Sequence, residues 1–190
     1  GAALATVAAD PGADLVVLAT GSHLPKIQAD ILTAVRAGLN VVSTAEELVW
    51  PWLRHPQRAQ EIAEEAKRYG VTVLGTGINP GFLLDLLPLL ACRPCLAVRK
   101  VTARRIVDVS QRRPQLQRKV GSGLWPEEYR ALASQGRVGH VGLGESAALL
   151  AAGLGWPTGP VIESIEPVLA AQRILGEHFI IEPGQVMGSH

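Results

Sequence analysis

Cysteine, methionine, aromatic residues and charge are all scarce in this chain. Of 190 residues, two are cysteines and one is a methionine, aromatics make up 4% and charged residues 18%. Two cysteines exclude a disulfide framework and a four-cysteine zinc site. They stand as Cys92-Arg93-Pro94-Cys95, the spacing of redox dithiols, but the apolar run Phe82–Ala91 before them places Cys92 at a helix C-terminus. That end of the helix dipole disfavours a thiolate, so the pair reads as structural. No apolar run reaches about 18 residues, which excludes a transmembrane helix. The opening GAALATVAADPGADL lacks the basic region of a signal peptide. A net charge of +1 gives no electrostatic case for nucleic acid or an acidic membrane surface. These absences point to a cytoplasmic location. The sole methionine is Met187 and the chain opens at Gly1, so it reads as a fragment or a processed chain.

What is present is apolar: 47% of residues are hydrophobic, enough for a packed core. Asp14–Thr20 (DLVVLAT), Asn40–Thr44 (NVVST) and Val71–Thr76 (VTVLGT) read as strands, the first without polar alternation, as in a strand buried on both faces. Between them, Pro25–Ala37 and Pro56–Tyr69 have helical periodicity and are closed by Gly38 and Gly70. Gly81–Ala91 is a third expected helix. Strand, helix, strand, helix, strand spells two βαβ units and a parallel sheet. After residue 96 the texture changes. Ala97–Ser110 carries four basic residues and reads as a half-exposed strand of a different sheet. Trp125-Pro126-Glu127-Glu128 opens a helix with proline and acids in its first turn, Glu145–Leu154 reads as an alanine/leucine helix, and His178–Glu182 as a strand. The expected fold is α/β, with a boundary near residues 92–97: residues 1–94 form the end of a parallel α/β domain and residues 95–190 part of an α+β domain.

Polar residues collect after each of the three strands: Thr20-Gly21-Ser22, Ser43-Thr44-Ala45-Glu46-Glu47, and Thr76-Gly77-Ile78-Asn79-Pro80-Gly81. Ligands of open α/β sheets bind outside the carboxyl ends of the strands, so three polar ends in succession point to a ligand crevice. Gly75-x-Gly77-x-x-x-Gly81 is spaced like a loosened dinucleotide fingerprint. Pro80 has no N–H to give a pyrophosphate, however, and a fingerprint normally sits on the first strand of its domain. The other reading has Asn79 contacting a cofactor ring or substrate. Glu46 and Glu47 are an acidic pair at a strand end, suited either to proton transfer or to opening a helix. Lys119, ahead of Gly121-Ser122-Gly123 and a helix start, is a candidate anion ligand or a surface lysine; His140, in a glycine-rich turn, defaults to a structural histidine, and His23 beside Ser22 is a weaker candidate. No metal spacing, catalytic triad or Walker motif is present.

LVVLATGS, NVVSTAEELVWPW, VTVLGTGINPGF, VDVSQRRPQLQRKVGSG and VGHVGLGES together resemble the 2,4-diaminopentanoate dehydrogenase family, related to dihydrodipicolinate reductase and including the native amine dehydrogenases. The resemblance runs from about Ala13 to Gln185. Ala45 stands where the family usually has cysteine, and Gln111 where it has threonine. The resemblance implies an NAD- or NADP-dependent enzyme with a Rossmann-type domain and an α+β substrate and dimerisation domain, acting on an amine, or on a carbonyl compound and ammonia, as a homodimer. It places Glu46 at the acid/base carboxylate, Thr20, Gly21, Ser22, Ser43, Thr44, Asn79, Pro80 and Gly81 on the cofactor side, and Lys119 and His140 on the substrate side. Nothing upstream of residue 13 resembles the phosphate-binding glycine loop, so the first βαβ is expected to be missing and isolated binding of NAD(P)H to be weak. The alternatives are a dihydrodipicolinate-reductase-like imine or carbonyl reductase, and an incomplete chain serving only as a dimerisation module.

Overall fold

The computed structural model describes residues 12–157 and 159–190. In chain order the elements are β1 (Leu15–Leu18), α1 (Leu24–Arg36), β2 (Asn40–Ser43), a 3-10 turn (Glu46–Leu48), α2 (Pro56–Tyr69), β3 (Val73–Gly75) and α3 (Leu86–Cys92). A second 3-10 turn (Val109–Gln111) precedes α4 (Pro114–Lys119), α5 (Pro126–Ser134), α6 (Leu143–Gly153), β4 (Pro167–Leu169), β5 (Ile174–Leu175), β6 (Ile180–Ile181) and β7 (Val186–Ser189). These elements fall into two compact units. One comprises the described residues up to Arg104 together with Val141–Val161; the other comprises Arg105–His140 and Ile162–His190. The division expected between residues 94 and 95 therefore falls ten residues later. Val141–Val161, expected with the second half, belongs to the first, because Ser146 of α6 bonds to Asp85 and Gly153 packs on Leu89.

The first unit is α/β. Its sheet is parallel throughout, in the order β1-β2-β3, with Val16 opposite Val41 and Val41 opposite Val73. Consecutive crossovers of one hand put α1 and α2 on the same face. Pro25 in the first turn of α1 costs no hydrogen bond, and Leu24, Ile27, Ile31, Leu32 and Val35 then recur at helical spacing as its buried stripe. Alongside it, α2 contributes Ala59, Ile62 and Ala66, and ends at Gly70 in the left-handed region, φ 67°. Leu18, Val41, Ala45 and Leu48 complete this core.

Strand β1 is not buried on both faces as expected. Its other face is open, with Leu15 50% and Val17 63% exposed, and Leu74 of β3 joins them at 51%. The helices cover only the face of Val16, Leu18 and Val41, so apolar side chains on alternate positions remain in contact with solvent. The expected third helix also starts later. Asp85 accepts hydrogen bonds from the amides of Gly81 and Leu86, at 2.7 and 2.6 Å, so residues 81–85 form turns and α3 begins at Leu86. It ends at Cys92, as the apolar run implies, and both cysteines are free thiols.

The second unit is built around Tyr129, fully buried on α5 with Val138 and Val186. Its strands pair as two antiparallel ladders, β4 with β7 and β5 with β6. Ala97–Ser110 departs from expectation: it forms no strand, and Ile106 within it is 86% exposed. Its basic residues favour water, and no ladder partner meets it among the described residues. The short helix α4, unexpected from periodicity, starts at Pro114 and is anchored by buried Gln117, whose amide donates to the carbonyls of Ser110 and Arg112.

Ile31 is fully buried at the centre of the α1 stripe. Ile31→Ala is expected to lower stability by about 2–5 kcal/mol, the usual cost of a large-to-small core change. Denaturant unfolding followed by circular dichroism checks this; a loss under about 0.5 kcal/mol would remove Ile31 from the core.

Candidate active site

All three expected strand ends lie side by side at the carboxyl edge of one sheet. They are in register: Leu18 opposes Ser43, and Ser43 opposes Gly75. Backbone bonds continue the alignment beyond the strands, from Thr44 N–H to the Leu18 carbonyl at 3.1 Å and from Thr76 N–H to the Ser43 carbonyl at 2.9 Å. Thr20 and Thr44 are exposed there, and Gly21, Ser22 and Asn79 half-buried. Ser43 is different. It is 1% exposed, and its Oγ accepts from Ala45 N–H at 3.2 Å, so this hydroxyl holds the turn rather than facing the crevice.

The two glutamates after β2 have separate environments. Glu47 is buried and accepts three hydrogen bonds: from His23 Nδ1 at 2.8 Å, from Leu24 N–H at 2.8 Å and from His55 Nε2 at 2.9 Å. Leu24 is the first residue of α1, and His55 precedes the first residue of α2. One carboxylate thus ties the end of β2 to the starts of both helices. Burial pushes its pKa up, but the bonds from His23, Leu24 and His55 outweigh burial and hold it below 4.5. Glu46 is half-buried and stands at the first position of the 3-10 turn, which crosses the end of β3. Only glycine allows that crossing: a Cβ on Gly75 would lie 2.4 Å from the Leu48 carbonyl carbon.

The loop after β3 turns through a cis Asn79–Pro80 bond, and Pro80 and Gly81 are buried. The Gly81 amide is committed to Asp85, and α3 starts only at Leu86. Gly75 serves packing, Gly81 serves a turn, and no helix N-terminus follows directly, so Gly75-x-Gly77-x-x-x-Gly81 has none of the parts of a phosphate loop.

A further segment reaches the site through the fold, and periodicity gives no sign of it. Gly142, the residue before α6, adopts φ 97°; a Cβ there would lie 2.5 Å from Pro80 Cγ and 3.0 Å from Glu46 Cβ. The first turn of α6 is clamped by two neighbouring side chains. Ser146 Oγ donates to Asp85 Oδ2 at 2.6 Å, and Glu145 Oε1 accepts from Arg54 Nε at 2.7 Å. Asp85, Glu145 and Ser146 are all buried. Their signals in sequence are ordinary polar residues in a loop and on an alanine-rich helix, which explains why they are missed. Glu46, Pro80 and Gly142 therefore meet, although 61 residues, Gly81 to Val141, separate the last two from each other in the chain.

Lys119 and His140 belong to the second unit. Lys119 does not precede a helix start; it is the last residue of α4, where a cation complements the helix dipole. The Gly139 amide donates to the Lys119 carbonyl at 2.8 Å, which brings His140, itself exposed, close to Lys119. The same unit contains a cavity of about 420 Å³, with Phe179, Ile181, Met187, Asp108 and Gln117 among its walls. Neither Lys119 nor His140 lines it. No cluster of His, Cys, Asp and Glu suited to a metal ion occurs among the described residues, and none of their helices is long and apolar enough to cross a membrane.

Residues 82–190 match the model of the 2,4-diaminopentanoate dehydrogenase C-terminal domain. The chain belongs to this family. It is 35% identical over 188 residues to 2,4-diaminopentanoate dehydrogenase of Acetoanaerobium sticklandii, an alignment covering 98% of the chain and 53% of that protein. Among solved structures it resembles amine dehydrogenase from Mycobacterium smegmatis, with a TM-score of 0.73 and 22% identity, over 98% of this chain and 56% of that one. The second likeness establishes a shared fold. The chain spans about half the length of these diaminopentanoate and amine dehydrogenase relatives.

Because the Glu47 carboxyl has a depressed pKa in the folded protein, the stability it contributes is complete above the ordinary carboxylate pKa and is lost as the pH falls through the folded value. Glu47→Gln is expected to be less stable than wild type at pH 7, with the difference shrinking below pH 4.5. Urea midpoints measured from pH 7 to pH 3 test this. A difference independent of pH would show that the carboxylate charge contributes nothing.

Proposed function

We propose that this chain supplies the strand-end crevice of an NAD(P)-dependent amine dehydrogenase, which oxidatively deaminates an amine or, in reverse, reductively aminates a carbonyl compound. The observation that carries this reading is Glu46, held at the carboxyl end of β2 against Pro80 and the Gly142 backbone, in a chain of the 2,4-diaminopentanoate dehydrogenase family. In this reading the parallel sheet is the later part of a Rossmann-type domain, and the second unit is part of a substrate and dimerisation domain. A homodimer and a cytoplasmic location belong to the same proposal and rest on the family resemblance.

The strand ends suit the nicotinamide end of the cofactor. Thr20, Gly21, Ser22, Thr44 and Asn79 form a shelf of small polar groups, and the cis Asn79–Pro80 turn is fixed by Gly81 N–H bonded to Asp85. Such a shelf lets a flat ring lie close to the backbone and offers it hydrogen bonds. The bound cofactor supplies hydride chemistry; the residues of this chain orient and move protons. Glu46 is the acid/base group, exchanging the proton that activates ammonia or water at the reacting carbon. Its backbone is rigid because Glu47, next in the chain, is bonded to both histidines and to the start of α1. The family resemblance gives Lys119 and His140 a substrate-side role.

In the full-length enzyme, Glu46→Gln is expected to lower turnover about a hundredfold or more, the scale of general acid–base catalysis, while leaving the fold intact. Steady-state oxidation of NAD(P)H in the presence of a carbonyl compound, with and without ammonia, provides the measurement. Near-normal turnover in the variant would remove Glu46 from this role, and oxidation that ignores ammonia would replace amination by simple carbonyl or imine reduction.

A further inference from the structure

Neither thiol of Cys92-Arg93-Pro94-Cys95 belongs to a core cluster of the described residues. Free cysteines kept for packing are among the most buried of residues. Here Cys92 is half-buried and Cys95 exposed. Both are placed by local backbone geometry. Helix α3 closes with the Arg93 amide bonded to the Leu90 carbonyl, and the Cys95 amide then donates to the Cys92 carbonyl at 3.0 Å. Arg93, at φ −58° and ψ −38°, is the first corner of this turn, and the Pro94 ring fixes φ at the second. A hydrogen-bonded turn of four residues holds its end Cα atoms within about 7 Å, and a disulfide spans about 4.4–6.8 Å between Cα atoms. The backbone therefore already has the span that a Cys92–Cys95 bridge needs, with little freedom left to lose. Both cysteines also line one recess of about 240 Å³, with Arg93, Gly153 and Trp156 among its other walls.

We propose that Cys92 and Cys95 form a reversible redox site, which a low-molecular-weight disulfide such as oxidised glutathione converts into an internal disulfide. Cys95, the exposed thiol, reacts first. Its thiolate attacks one sulfur of the glutathione disulfide, forming a mixed disulfide and releasing one glutathione. The Cys92 thiolate then attacks the Cys95 sulfur, closes the Cys92–Cys95 bond and releases the second glutathione. The protein loses two electrons and two protons, and the oxidant takes up both as two glutathione thiols. Arg93, in the wall of the recess, gives the carboxylates of glutathione a cation to approach. The reverse reaction is open for the same reason as the forward one: a disulfide in an exposed turn is accessible to reduced glutathione. The site stands apart from the amine dehydrogenase reading.

The test uses the full-length protein, equilibrated in buffers of stepped ratios of reduced to oxidised glutathione, after which free thiols are alkylated and the protein is digested with trypsin. Arg93 precedes proline and resists cleavage, so Tyr69–Arg99 is released as one peptide carrying both cysteines. In excess oxidised glutathione this peptide is expected to carry no alkyl group and to be lighter than the dithiol by two hydrogens. In excess reduced glutathione both cysteines are expected to be alkylated. Cys92→Ser is expected to accumulate glutathione on Cys95, and Cys95→Ser to react about tenfold or more slowly than wild type, since the half-buried thiol then has to attack first. A peptide that stays a dithiol at every ratio overturns the proposal, as does one that stays a disulfide in excess reduced glutathione. Glutathione retained on either cysteine of wild type without an internal bridge also overturns it. Reaction of Cys95→Ser at the wild-type rate overturns the order assigned to the two thiols.

Discussion

One buried carboxylate organises the α/β unit. Glu47 accepts from the first amide of α1, from the imidazole just before it and from the imidazole just before α2. A buried charge with three donors is stable where an unpaired one would not be, and here the donors come from the starts of two different helices. The end of β2 is consequently held against both helix starts. Glu46, one residue earlier, inherits that rigidity without sharing the bonds. Adjacent glutamates thus take different parts, one fixing the backbone and the other presented beside Pro80 and Gly142.

The second constraint is the return of the chain. After leaving the first unit at Arg104, it comes back at Val141 and packs α6 against the turn that follows β3. Asp85 is the junction: its two oxygens hold Gly81, Leu86 and Ser146, so the cis Asn79–Pro80 turn and the start of α6 cannot shift independently. Gly142 completes the join by having no side chain where Pro80 and Glu46 already stand. A crevice built in this way depends on residues whose chain separation is large and whose chemistry, a serine, a glycine and an aspartate, is unremarkable in isolation.

Much of the first unit was legible before folding. Alternation of apolar runs with amphipathic segments closed by Gly38 and Gly70 gave β1-α1-β2-α2-β3 almost to the residue for α2, because proline, glycine and helical spacing act locally. The polar strand ends were legible for the same reason. Solvent exposure of Leu15 and Val17 was not, since an apolar run cannot say how many faces of a strand find a partner. Nor was the fate of Ala97–Ser110: a segment with strand composition becomes a strand only where a ladder receives it.

The sequence by itself determined the periodic elements, the row of polar strand ends and the family resemblance, all of which are carried by residues close together in the chain. Tertiary structure alone decided which of two neighbouring glutamates is locked by histidines, that Ser43 turns inward, that Asp85 and Ser146 are buried as a pair, and that buried Glu145 is met by the exposed Arg54. The reason is physical. Burial and pairing of polar groups depend on which distant segment arrives opposite, and that is settled by the crossing of the chain between its two units rather than by any local pattern.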